Sequence, residues 1–290
     1  SVSSGQSGSF VTEVSSDLDV IASNSMSLNG ASNQNKSVTD QEANPQGVEF
    51  SADGTKMFVI GIFGLDVNEY TLSSAWNLSS TVTFIDSYAV SQDSNVKAIR
   101  FNTDGTKMYL MGDVNNTVYQ YTLSTGFDIS TASYASLSKS VSAQTSTPYG
   151  LDFNSDGTKM FVVGNSEDSI FEYTLSTAWN VSTASYNQAL VTTDYENSPY
   201  GFAFSSDGSQ GILTGSQFDS LMILDFGTPY DISTGVNSGD IQALGFTSFF
   251  STSISADDNH VFVMNASNDN VYRYPLSSSF SGTGIASLIR

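Results

Sequence analysis

Apolar residues fall in short runs of about four, separated by turn signals, and the runs repeat along most of the chain. Gly150-Leu-Asp-Phe153 leads into Asn-Ser-Asp156-Gly157-Thr-Lys159 and then into Met160-Phe-Val-Val163. The same strand–turn–strand phrase is built around Asp53, Asp104 and Asp207, with a worn copy at Asp257-Asp258, at a nearly constant step of about 51 residues. Asp-Gly suits the turn because glycine tolerates positive φ. A third run follows in each unit, as in Val118-Tyr-Gln-Tyr121, Ile170-Phe-Glu-Tyr173 and Val271-Tyr-Arg-Tyr274. Next comes Leu/Phe-x-x-x-aromatic, which places Trp76, Phe127, Trp179, Tyr230 and Phe280 in one slot. An outer strand such as Ala184–Leu190 completes the unit. No 3.6-residue apolar period persists, which argues against helices.

Four short antiparallel strands per unit make a propeller blade, and five units predict an all-β, five-bladed β-propeller over residues 45–290. Six blades would result if the N-terminal arm, residues 1–44, contributed more than one strand. Within that arm Ser1–Ser9 reads as a flexible tether, Val20–Leu28 has weak strand character, and Asn29–Asn44 reads as polar loop. The arm either closes the ring with a strand or docks on a partner. The small residue that opens each inner strand (Gly47, Ala98, Gly150, Gly201, Ser251) fits a crowded ring centre.

Ser-Asp-Gly-Thr-Lys-Met-Phe-Val-Val resembles the strand–turn–strand of YVTN-type and lactonase-like propeller repeats. The longer unit, with Tyr-Thr-Leu-Ser-Thr-Ala-Trp-Asn-Val-Ser-Thr-Ala-Ser-Tyr, resembles repeats of phage-encoded and marine bacterial surface proteins. The resemblance covers about residues 45–290 and implies the fold; propellers host many unrelated activities, so it carries no activity with it.

Charge narrows the partners. The formal charge is −20, yet charged residues make up only 13% of the chain, so the imbalance reflects few bases on a Ser/Thr/Asn surface. Such a chain has no basic stripe for nucleic acid and is repelled by an anionic membrane surface. It contains no cysteine and no apolar run long enough to span a bilayer. Its first residues lack a basic and apolar leader and read as a mature or excised N-terminus.

Candidate chemistry sits where the copies disagree. Gln46, Lys97, Tyr149, Tyr200 and Phe250 occupy one varied slot, and Glu49, Arg100, Asp152, Ala203 and Ser253 another just before the repeat's Phe. Both are expected at the central funnel, where Glu49, Lys97, Arg100, Tyr149, Asp152, Tyr200 and Phe250 would line a small-ligand pocket. The alternative is inter-blade packing with Arg100 paired to Glu49 or Asp152. The face holding the turns between second and third strands, the top, collects Asp66, Asp93, Asp113, Glu167, Asp168, Asp194, Glu196, Asp219 and Asp269. These acids make either a solvated rim or a Ca2+ site, although no EF-hand spacing is present. Ile62, Phe63 and Leu65 form an unusually apolar hairpin tip, either a partner contact or a segment folded onto its own blade.

The lone histidine, His260, aligns with the motif lysines, which removes His-based nucleophilic catalysis. Asp53, Asp104, Asp156 and Asp207 recur in blade after blade and read as turn formers. Together these features predict a non-enzymatic extracellular, cell-surface or virion-surface propeller that contacts structural proteins or a host-surface glycan, with no cofactor. The second reading is a lectin-like module at the funnel, and the third a metal-dependent hydrolase or lyase.

Overall fold

The computed structural model describes residues 24–28, 34–247 and 249–280; the Ser1–Ser9 tether lies outside them. Strands β1 (Asn24–Leu28) and β2 (Gln34–Ser37) precede the first blade, formed by β3 (Pro45–Phe50), β4 (Lys56–Gly61), β5 (Asp66–Leu72) and β6 (Val82–Ala89). The second blade is β7 (Val96–Phe101), β8 (Lys107–Gly112), β9 (Thr117–Leu123) and β10 (Ala132–Ser140). The third is β11 (Pro148–Phe153), β12 (Lys159–Gly164), β13 (Ser169–Leu175) and β14 (Ala184–Val191). The fourth is β15 (Pro199–Phe204), β16 (Gln210–Gly215), β17 (Ser220–Phe226) and β18 (Gly235–Ala243). The fifth holds β19 (Phe249–Ile254), β20 (His260–Asn265) and the long β21 (Asn270–Phe280), completed by β1 and β2 on the outer edge of β21. The protein is a five-bladed β-propeller. Although the arm supplies two strands, both join the fifth blade, so no sixth blade forms.

Two local readings change. The segment read as polar loop, Asn29–Asn44, contains β2, whose Gln34–Ser37 pairs with Asn270–Arg273. The chain does not turn after Leu276, because β21 runs on and pairs with β1 from Leu276 to Phe280.

The core is a set of apolar layers between consecutive blades. Phe58, Ile60 and Val67 of the first blade pack against Ile99, Met108 and Leu110 of the second, all fully buried. Phe262 and Met264 of the fifth meet Val48 and Val59 of the first. Burial of each such side chain contributes about 1.5–3 kcal/mol. Tyr70, Tyr121 and Tyr173 are fully interior, and each hydroxyl donates to a glutamine carbonyl of Gln41, Gln92 or Gln144.

The repeated Asp and Lys serve this scaffold. Asp156 Oδ1 accepts from the Thr158 backbone N–H at 2.9 Å and hydroxyl at 2.6 Å, and the Asp53, Asp104 and Asp207 turns repeat the arrangement. Gly157 has φ +72°, and its α-carbon lies under the Trp179 ring, so a Cβ there would collide with the indole. Lys56 spans from Glu69 at 2.7 Å to the Phe127 carbonyl of the next blade at 2.6 Å. Lys159 likewise joins Glu172 to the Tyr230 carbonyl. At two other junctions the Tyr109 hydroxyl and the Arg273 guanidinium donate to the Trp179 and Trp76 carbonyls.

Candidate functional site

Five inner strands, β3, β7, β11, β15 and β19, surround the ring axis. Their residues before the repeat's Phe meet near its lower end, on the side of the Asp-Gly turns. Arg100 is the hub. Its Nη1 lies 2.9 Å from Glu49 Oε2 and donates to the Ile99 carbonyl, while Nε donates to Asp152 Oδ1 at 3.2 Å. Nη2 reaches across the axis to the carbonyls of Thr252 at 2.6 Å and Phe202 at 3.4 Å. Nε, Nη1 and Nη2 thus all donate hydrogen bonds, four in total, and Glu49 adds an ion pair. The carboxylates are anchored too: Glu49 Oε1 accepts from Phe50 N and the Ser253 hydroxyl, and Asp152 Oδ2 from Phe204 N. Burial pushes both carboxyls up, and Arg100 opposes the shift.

The trio forms the floor of a cavity of about 200 Å3. Phe50, Phe101, Phe127, Phe204 and Ile254 supply apolar walls, and Asn102, Thr103 and Ser253 add polar groups. The Arg100 pairing expected with Glu49 or with Asp152 is made with both. Ser253 was visible in the varied slot but had no chemical signal of its own; its hydroxyl holds Glu49. Most of the walls come from the repeat's Phe position (Phe50, Phe101, Phe204, with Ile254 in the worn copy), which reads only as core in the sequence.

The other varied slot lies at the opposite end. In every inner strand the register against its neighbour slips by one residue, between Pro45 and Gly47, Val96 and Ala98, Pro148 and Leu151, Pro199 and Gly201, and Phe249 and Ser251. Such a bulge re-aims one side chain. The expected single funnel lining is thus corrected: Lys97, Tyr149, Tyr200 and Phe250, with Gln46, gather at the top mouth, separate from Glu49, Arg100 and Asp152. Tyr149 stands 4.7 Å from Tyr200 and 6.0 Å from Phe250 between ring centroids. Lys97 Nζ sits 4.7 Å from the Tyr149 ring centre and donates to Gln46 Oε1 at 3.1 Å.

The top-face acids divide by role. Asp93 accepts from the Val114 and Asn115 backbone N–H groups, and Glu196 from those of Gln217 and Phe218. Glu42, absent from the sequence-based set, does the same for Phe63 and Gly64. Asp168, Asp219 and Asp269 occupy the left-handed position of each turn, with φ of 47°, 47° and 53°, where the other blades place Leu65 and Asn116. Among the described residues no group of three or more His, Asp or Glu side chains gathers to hold a metal ion. On the apolar tip only Phe63 projects, at 77% exposure, while Ile62 and Leu65 are half-buried.

No family model matches the chain, and no curated protein sequence does. Solved structures do share the fold. A structure described as a "putative 6-phosphogluconolactonase" from Bacteroides fragilis aligns at 12% identity and TM-score 0.51, covering 80% of each chain. A protein from Lactobacillus plantarum aligns at 14% identity and TM-score 0.51, over 80% of this chain and 67% of its own. A second structure with the lactonase description, from Bacteroides uniformis, has 13% identity and TM-score 0.47; the chain spans 57% of its length. At such identities the likeness is one of fold. The expectation of a non-enzymatic surface protein is not retained, since the Bacteroides fragilis structure that shares the fold carries a lactonase description.

Proposed function

We propose that the chain is a lactonase-like hydrolase working in the axial cavity, with Glu49 and Asp152 as the carboxylates that activate water. The observation that supports this most is the pair of buried carboxyls held around one guanidinium on the cavity floor. A carboxylate whose pKa is raised by burial is a stronger base than one in water. Water oxygen bonds to the lactone carbonyl carbon as its proton passes to a carboxylate. The ring C–O bond then breaks, and the departing alkoxide takes up a proton to leave a hydroxy acid. Arg100 is engaged by its two carboxylates and three carbonyls and serves to hold the carboxylates in place.

The electrostatics restrict the substrate. Two carboxyls around one guanidinium leave the ionised trio with an excess negative charge, and among the described residues no other Lys, Arg or His lines the cavity. A phosphorylated lactone would find no cation there, so the substrate class is an uncharged lactone or cyclic ester. Hydrolysis of glucono-δ-lactone and other neutral lactones, followed by proton release, tests this reading. Glu49→Gln and Asp152→Asn should each lower the rate about 100-fold or more. Failure to exceed the spontaneous rate with every neutral lactone, or full activity in the double variant, would refute it.

A further inference from the structure

The top mouth is built differently from the cavity, and it holds a buried cation without an ion-pair partner. Lys97 is only 6% exposed, yet its one hydrogen bond is to the neutral Gln46 amide. An ammonium has three donors, and burying a charge without a counter-ion is costly. No carboxylate among the described residues lies within ion-pair distance. Asp113 acts on Lys97 only at longer range, and its own carboxylate accepts from Asn95. Aromatic faces supply what stabilisation there is, with Nζ 4.7 Å from the Tyr149 centroid and 5.7 Å from that of Phe250. Burial accordingly lowers the Lys97 pKa.

The bulges show that this mouth is part of the design of the ring. One side chain per blade is turned toward it by the same register slip, and the five residues placed there are an amide, an amine, two phenols and a phenyl. Because the slip occurs whatever the side chain, it belongs to the scaffold and leaves the slot's chemistry free to vary. Here the slot combines an underused ammonium with three mutually packed rings, Tyr200 and Phe250 lying 5.2 Å apart.

We propose that the top mouth is a second ligand site, for a small carboxylate with a flat apolar body: the carboxylate pairs with Lys97 and the body lies against Tyr149, Tyr200 and Phe250. Such a ligand would supply the counter-ion that the protein does not, and it would bury its apolar face on the rings. The proposal does not depend on the hydrolase reading, since the two sites use different residues at opposite ends of the axis.

Benzoate is a suitable probe, titrated into the full chain and followed by calorimetry, with benzyl alcohol as its uncharged counterpart. Saturable one-to-one binding is expected, weaker by about tenfold or more for benzyl alcohol and in Lys97→Met. Tyr149→Ala should weaken binding, and Glu49→Gln should leave it unchanged. If Lys97→Met does not fold, the benzoate–benzyl alcohol difference on the unaltered chain decides. Equal affinity for the two probes, no saturable binding, or loss in Glu49→Gln with retention in Lys97→Met would overturn the proposal.

Discussion

Arg100 and Lys97 stand three residues apart on one inner strand and make opposite uses of a buried positive charge. Arg100 has two carboxylates and three carbonyls around its fork, whereas Lys97 has one amide oxygen and the faces of two rings. The planar guanidinium matches several fixed acceptors at once, while the ammonium is a compact charge on a mobile stem. One end of the axis is therefore internally satisfied and the other is not. Satisfaction locks geometry, and an unmet donor leaves room for something from outside.

The largest test of this contrast is Arg100→Met. Removing the hub strands Glu49 and Asp152 as buried charges, and stability measured by urea unfolding should fall by about 3–5 kcal/mol. The pH dependence comes next. A carboxyl whose folded pKa is raised holds its proton more tightly in the native state, so stability falls as pH rises from the ordinary values, 4.5 for Glu49 and 3.8 for Asp152, through the raised ones. Thermal melts across pH 4–8 should show this decline, and the Glu49→Gln/Asp152→Asn double variant should flatten it. In the hydrolase reading the same shift places the acid limb of activity above the ordinary carboxylate range. The turn aspartates Asp53, Asp104 and Asp156, with pKa values lowered by hydroxyl and backbone donors, act in reverse: their contribution is present above pH 3.8 and disappears as pH falls through their folded values.

An intermediate case lies on the lower face. Lys159 is partly exposed but pairs with fully buried Glu172, which Asn187 and Gln188 also hold. Lys159→Met should cost about 1–2 kcal/mol by the same unfolding assay. Lys97→Met should have the smallest effect, within about 1 kcal/mol, because no buried carboxylate loses its partner. A cost for Lys97→Met equal to that for Arg100→Met would erase the distinction.

The blade count was legible because the Asp-Gly turn and the aromatic corner recur at a fixed step, and both are local chemistry. The pairing of Arg100 was legible as charge complementarity among aligned slots. The separation of Lys97 from Arg100 was not, because one inserted residue per inner strand leaves no mark in composition or period. The top-face acids looked like a charged rim since sequence shows charge and not direction; Asp93 and Glu196 in fact turn inward onto backbone N–H groups. Residues 276–280 have the spacing of a corner, since Leu276 and Phe280 keep the repeat's step, yet their conformation is set by pairing with β1, some 250 residues earlier in sequence.

That pairing has a mechanical consequence. Asn24 lies opposite Phe280 and Leu28 opposite Leu276, so the chain leaves β1 and β21 at the same end of the ladder. A load drawing those two flanks apart acts on one cross-strand pair at a time, as in opening a zipper, and never shears the whole ladder at once. Under tension the ring should open first at its fifth blade and at low force, while pulling across any other blade would meet β-ladders closed within a single stretch of chain.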